Sequence, residues 1–514
     1  MGWRGGWVMS LLVVGVGCGG AIPDGAEDGL VQEPTSEPGV AAEAYCAPIP
    51  ANTQRVKTIL PPSQIGLPRY ALGPSSFVNF QGTLHFAVNY EDGRGALWRS
   101  TGTDAGTTQV RAFPATAGNF TPFLAHLTPT STQLFFQATD TATGSELWVS
   151  DGTTAGTRLV KDLTPGPQDS TLADLSAVGN TLVFMRERTD PATSSPRFEL
   201  WKSDGTSAGT QLLRDFGSNV YVSFADTKVG NARLLFVRES GGATLLWRTD
   251  GTAGGTFQLK RLDAGPYTYP SEVRSSGTLA LFTLDENSTL TELWKSDGTE
   301  GGTVRLASFG PTRAVRVLGE LGGFAYFTST SYSTQYMVIY RVPLTGGNPT
   351  PVVTLPNDYA TKGVALPSID AVSIAPGGTK LYFAVNIGSE GPAPRDTQLW
   401  VTDGTAGGTT LLRRPLSLSD EYGSPLLAVA DNLVYFSSDE GGKFGIEPWV
   451  SNGTPSGTYR LKNISTQGFD PSSYPREYFL LGTRVYFSAY DDTLAGQLWS
   501  ATMRTGCVRA KDAH

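Results

Sequence analysis

The sequence predicts an all-β fold, a single β-propeller of about nine four-stranded blades, and three observations predict it. A short apolar run ending in phenylalanine recurs as LHF, LFF, LVF, LLF, ALF, AYF, LYF, VYF and VYF, at Phe86, Phe136, Phe184, Phe236, Phe282, Phe327, Phe383, Phe436 and Phe487. A tryptophan, mostly preceded by leucine, follows 11 to 17 residues later at Trp98, Trp148, Trp201, Trp247, Trp294, Trp400, Trp449 and Trp499; the sixth unit carries Tyr340 there. Between turn residues the chain is rich in β-branched and aromatic side chains, with no helical period.

Within a unit the pattern resolves into four short strands. The second unit shows a first strand near FLAHL, a second at QLFFQATD, a third at SELWVS, a turn DGTTAG and a fourth strand TRLVKDL. Pairs such as Gly179-Asn180, Gly230-Asn231 and Asp431-Asn432 tolerate positive φ and suit the tight hairpin between the first two strands. Both faces of the second strand are apolar, so each sheet must lie between two others, as radially packed blades do. Nine exceeds the usual range of about four to eight blades, and eight is the alternative if the unit around Tyr340 forms no blade. Closure mixes the chain ends: TQRVKTIL (53–60) resembles the fourth strands, and CVRAKD (507–512) competes for the same last outer position. Either choice brings Cys46 near Cys507, and in an oxidising compartment a disulfide between them is expected.

The segment from third to fourth strand carries the most specific motif. It reads ELWVSDGTTAGT (146–157), ELWKSDGTSAGT (199–210), LLWRTDGTAGGT (245–256), ELWKSDGTEGGT (292–303) and QLWVTDGTAGGT (398–409), with variants ALWRSTGTDAGT (96–107) and EPWVSNGTPSGT (447–458). The chain thereby resembles the bacterial ELWxxDGT repeat proteins over residues 73–508. That resemblance implies propeller-type repeats with no general catalytic activity attached. The motif is also similar to the Asp-box of sialidase-type propellers, whose Asp, Gly and Thr stabilise a turn. Asp151, Asp204, Asp250, Asp297 and Asp403 are therefore expected to fix turns, each bonding its own backbone two residues on while glycine takes positive φ. A calcium ring and catalytic carboxylates are the competing readings. Asn452 argues against calcium, because it keeps the bonding and loses the charge, and catalysis needs one residue per site, not one per blade.

The first residues read as an address. Residues 1–17 (MGWRGGWVMSLLVVGVG) hold one cation, Arg4, before an apolar run too short to span a bilayer, which fits a signal peptide. The run ends at Gly17-Cys18-Gly19, and small residues before a cysteine resemble the bacterial lipobox, with Gly15 where that motif prefers leucine. The resemblance implies lipidation at Cys18. Residues 18–45 form an acidic tether with no Lys or Arg, too poor in apolar surface to offset ordering. Residues 46–512 are the propeller. The expected location is the cell envelope, the outer membrane or cell surface, with the lipid as membrane contact.

Charge narrows the function classes. Lys and Arg number 39 against 47 Asp and Glu, a net charge of −8, which gives no electrostatic footprint for nucleic acid. His85, His126 and His514 are far apart and read as ordinary packed or exposed histidines, so no metal or cofactor is expected. The expected function is a monomeric, non-catalytic surface module that binds or scaffolds a glycan, peptide or envelope component. The alternative is an extracellular propeller hydrolase or lyase with its site at one channel mouth, shaped by the longer connections 187–198 and 386–397. A cluster of Asp, Glu, Arg or Tyr converging on the channel mouth, found once and not once per blade, distinguishes that alternative.

Overall fold

The computed structural model describes residues 52–502 except 63–71, 115–123, 219, 224–227, 240–243, 263–267, 287–289, 312, 361–365, 389–395, 417–425, 430–431, 441–443 and 467–470. The signal segment, the tether, Cys18, Cys46, Cys507, the CVRAKD segment and His514 lie outside the described residues. The described chain forms nine antiparallel sheets arranged as a β-propeller, with no α-helix among the described residues. Each blade runs through strands a to d from the channel outward. Blade 2, for example, comprises a (Leu124–Pro129), b (Leu134–Asp140), c (Gly144–Ser150) and d (Arg158–Lys161). In blade 4 the innermost strand is in two pieces, Val220–Ser223 and Lys228–Val229, both paired with Ala232–Glu239. The unit with Tyr340 is a full blade, its ring stacked on Phe327 with centroids 5.7 Å apart.

Packing follows the period of two along strand b. Leu134, Phe136 and Ala138 face blade 1, while Phe135 faces blade 3. Among the described residues each of the nine blade-to-blade interfaces holds its own buried cluster, the last one joining blade 9 to blade 1. A fully buried aromatic or leucine contributes roughly 1.5–3 kcal/mol by removal from water, so the repeated columns supply most of the cohesion. Cross-strand pairs Phe86–Trp98, Phe136–Trp148, Phe184–Trp201 and Phe282–Trp294 set the register.

Blade 4 departs from that column. One extra residue separates Asn231 from Phe236 compared with Asn180 and Phe184, so Leu235, and not Phe236, pairs with Trp247. The slip turns Phe236 to the opposite face, against Phe282 of blade 5. The c–d pairing shifts by one residue at the Leu-Trp step in blades 1 to 5 and 7, a bulge that re-aims the indole. A cation from strand d of the preceding blade covers several of the tryptophan rings. Arg111 lies 4.9 Å from the Trp148 ring, Arg214 4.9 Å from Trp247 and Arg413 4.2 Å from Trp449.

The ring is closed by the N-terminal strand. Gln54–Lys57 pairs with Gly496–Thr502 as the outermost strand of blade 9, whose inner strands are Arg476–Leu481 and Arg484–Tyr490. Up-and-down strands give the ring two faces. The a–b and c–d turns, with every DGT motif, share one; the b–c hairpins and d–a connections share the other.

Candidate functional site

The DGT turns have one geometry throughout. In blade 2, Asp151 Oδ1 accepts the Thr153 amide at 2.8 Å and the Thr153 hydroxyl at 2.7 Å. The Thr153 hydroxyl oxygen accepts the Gly156 amide at 3.0 Å, and Thr157 donates back to the Thr153 carbonyl at 2.6 Å. A Cβ on Gly156 would sit within the Asp151 carboxylate, which is why this position is glycine. Asp204, Asp250, Asp297 and Asp403 make the same amide bond at 2.8–2.9 Å, and Asn452 makes it at 3.1 Å. The threonine hydroxyl and amide hold the Asp151 and Asp204 carboxyls below the ordinary range. Asn452 keeps those bonds without charge, so the bonds and not the charge define the turn. The six residues lie one per blade, and the structure brings no two of them together into a site.

Asp204→Ala is expected to destabilise by about 1–2 kcal/mol through loss of these bonds. Gly209→Ala, which expels the same carboxylate from its place, should cost at least as much. Denaturation with and without chelator checks the reading; a large loss caused by chelator alone would contradict it.

The residue two before the tryptophan has a role the motif alone did not disclose. Glu146 accepts the Thr164 amide at 3.1 Å and the Ser170 hydroxyl at 2.6 Å. Glu447 accepts the Ile464 and Ser465 amides at 3.0 and 3.2 Å and the Ser473 hydroxyl at 2.7 Å. Gln497 accepts the Ile59 and Leu60 amides at 2.6 and 3.2 Å. Each side chain clamps the connection from strand d towards the next blade. In blades 3, 5 and 7 it instead accepts its own tryptophan's indole N–H, at Glu199, Glu292 and Gln398. Burial is the largest influence on Glu447 and pushes its carboxyl up to about 8.

The histidines are apart. His85 is buried beside Phe80, its ring lowered in pKa chiefly by desolvation. His126 is exposed on strand a of blade 2 with φ of 60°. Of the longer connections, 187–198 ends a hairpin knitted by Arg197 to Asp190 at 3.0 Å and to Asp215; 389–395 lies outside the described residues.

A cleft of about 560 Å³ opens at the seam, on the face of the b–c hairpins. It lies between blades 9 and 1, where the expected hydrolase site had been a channel mouth. Ile59, Leu60, Leu72 and Leu494 give it an apolar wall; Tyr90, Glu91, Asp92 and Arg94 form one lip, and Tyr490 the other. Gly73, at φ of 97°, lets the two blades touch there: a Cβ would meet the Gly496 backbone at 3.2 Å. Arg94 binds Asp92 at 2.6 Å and lies 5.0 Å from the Tyr90 ring centre. Burial is the largest influence on Asp92 and raises it, but the bonds and charge of Arg94 outweigh it and hold the carboxyl below its ordinary value. Burial raises the Tyr90 phenol, against the Trp98 bond and Arg94 charge. Across the cleft, Arg476 covers the buried Tyr490 ring at 5.3 Å, and Asp491 is paired with Arg55 of the closing strand at 2.9 Å. The signal was present in the sequence: tyrosine followed by two acids occurs at 90–92 and 490–492 and nowhere else. Ring closure makes those two hairpins neighbours.

No protein-family model matches the chain, and no curated protein matches it. Solved structures that resemble it include a prolyl endopeptidase, 10% identical, covering 72% of this chain and 55% of that one, with a TM-score of 0.40. Oligopeptidase B from Leishmania major is 12% identical, covering 62% and 45%, with a TM-score of 0.35. The β-propeller domain of the Trilobed protease from Pyrococcus furiosus is 11% identical, covering 67% and 97%, with a TM-score of 0.33. The chain spans about half the length of the first two, and the likeness is one of fold. The expectation of a non-catalytic binding module is corrected at this point. The solved structures it resembles are peptidases, a likeness of fold, and they do not support the non-catalytic reading.

Proposed function

We propose that the protein is an extracytoplasmic hydrolase whose substrate site is the seam cleft. The supporting observation is the lip of Tyr90, Glu91, Asp92 and Arg94 facing Tyr490, with the Tyr-acid-acid sequence confined to these two adjacent hairpins. Carboxylates at the rim of a half-apolar cleft supply what hydrolysis requires, a base for water beside a wall that seats the substrate. Glu91 takes the water proton; Asp92, kept ionised by Arg94, holds that guanidinium in place.

The test is hydrolysis by the full chain of nitrophenyl esters, peptide nitroanilides and nitrophenyl glycosides. At least one class should turn over, and the double variant Glu91→Gln, Asp92→Asn should lower kcat by roughly 100-fold or more. Turnover that survives the double variant, or none with any class, would overturn the proposal.

The address is part of the same reading. The apolar run before Cys18 and the acidic segment behind it support a lipid-anchored, exported member of the ELWxxDGT repeat proteins. Chain ends meeting in blade 9 support a Cys46–Cys507 bond. Mass spectrometry of the exported protein reads both modifications, and free thiols at all three cysteines would refute them.

A further inference from the structure

We propose that the Tyr90 phenol is the hydrogen-bond donor to the oxyanion of an acyl substrate in the seam cleft, with Trp98 as its positioning residue. This rests on the hydrolase reading and names its substrate class, an ester or amide. The argument starts at Ala96. In blades 3, 5 and 7 the residue two before the tryptophan is Glu199, Glu292 or Gln398, and it takes the indole N–H at 2.9–3.0 Å. Blade 1 has alanine there, which offers no acceptor, and the Trp98 indole donates to the Tyr90 phenol oxygen at 3.1 Å.

An oxygen that accepts from Trp98 turns its own O–H away from the indole, and Tyr90 is one of the residues lining the cleft. Burial keeps that proton in place at neutral pH. The ring is fixed as well, by the indole at its hydroxyl and by Arg94 over one face at 5.0 Å. A donor fixed before the reaction, in a site with an apolar wall, stabilises charge that develops on a substrate oxygen without reorganisation.

The step balances with water as the co-reactant. Water oxygen bonds to the carbonyl carbon as its proton passes to Glu91, and the carbonyl π pair moves onto oxygen, which accepts the Tyr90 O–H. Collapse restores the carbonyl and breaks the bond to the alcohol or amine, which leaves with the proton from Glu91. Tyr90 keeps its proton throughout.

The test uses benzylphosphonate, a stable anion that presents the oxygens of a tetrahedral adduct, together with the active ester or amide from the substrate panel. Tyr90→Phe should weaken benzylphosphonate binding about tenfold and lower kcat more than it raises KM. Trp98→Phe should have a smaller effect of the same kind, and should shift the Tyr90 ¹³Cζ resonance and its titration upward. A merely structural Trp98 would leave the ¹³Cζ titration unmoved, and that result overturns the positioning role. Equal binding and kcat in wild type and Tyr90→Phe overturn the donor. If no substrate turns over while Tyr90→Phe still weakens benzylphosphonate, the hydrolase reading fails, the acyl-substrate assignment fails with it, and Tyr90 is a donor to a bound anion only.

Discussion

A Glu447→Gln protein is expected to lose the wild type's decline in stability between about pH 5 and pH 8. Glu447 is fully buried in strand c of blade 8, where it accepts two amides and the Ser473 hydroxyl. Its carboxyl is raised from 4.5 to about 8 by burial, the largest influence, against those bonds. A group whose folded pKa is raised contributes stability that is complete below its unfolded value and is lost as pH climbs through the folded one. The loss runs at about 1.4 kcal/mol per pH unit across that window, on the order of 3–5 kcal/mol in all. His85 acts in the opposite sense: lowered by burial, it gives stability that disappears as pH falls below the ordinary histidine value of 6.5. Glu146 is raised in the same direction as Glu447 and adds to its slope.

The difference between wild type and variant isolates Glu447 from these other groups. Glutamine is the apt replacement because Gln497 occupies the equivalent place in blade 9 and accepts two amides in the same manner. Denaturant midpoints measured from pH 5 to 9 should therefore diverge from the Glu447→Gln curve as pH rises, then run parallel above about pH 8. Parallel curves throughout would show that the carboxyl does not titrate there.

The repeats were legible because a propeller blade writes its packing into sequence at a fixed period. Phe136 and Trp148 face one another across strands b and c, and such pairs recur nearly unchanged. The turn reading was legible for a local reason, since Asp151 bonds Thr153 two residues on. What escaped depended on contacts between distant segments. Phe236 looked like its eight counterparts, and one extra residue before it moved it to the opposite face. Glu146 and Glu447 stood in plain view in the motif, but their partners, Thr164 and Ile464, follow 17 or 18 residues later in segments with no pattern of their own. The cleft was the least accessible feature. Its lips, at 90–94 and 490–496, are some 400 residues apart and become one site only when residues 54–57 close the ring. The choice of that strand over the C-terminal segment was itself left open by two similar sequences.

Closure rests on few contacts, and Gln497→Leu is expected to cost about 3–5 kcal/mol and to release the first strand. The closing strand is four residues long and pairs irregularly, with a shift between Arg55 and Lys57. Much of its hold comes from one side chain: Gln497 accepts the Ile59 amide at 2.6 Å and the Leu60 amide at 3.2 Å, and donates to the Leu60 carbonyl at 3.0 Å. Leucine fills similar volume but leaves these backbone groups without their partner, and each buried unsatisfied group costs about 1–3 kcal/mol. The remaining ties lie nearer solvent. Arg55 to Asp491 and Lys57 to Asp104, at 2.9 and 3.3 Å, involve partly exposed side chains and contribute little. Val56 and Leu60 bury their apolar surface in the blade 9 to blade 1 cluster, so release of the strand should leave blades 2 to 8 folded. Hydrogen exchange should accordingly rise in 52–61 and in the facing strand 496–502, and then in the cleft lips, with blades 3 to 6 unchanged. Gln398→Leu in blade 7 is the control, because that side chain bonds within its own strand, to Asp396 and Trp400. If Gln497→Leu and Gln398→Leu raise exchange equally at 52–61, or neither does, the strand is held by its apolar contacts and Gln497 is not the clamp.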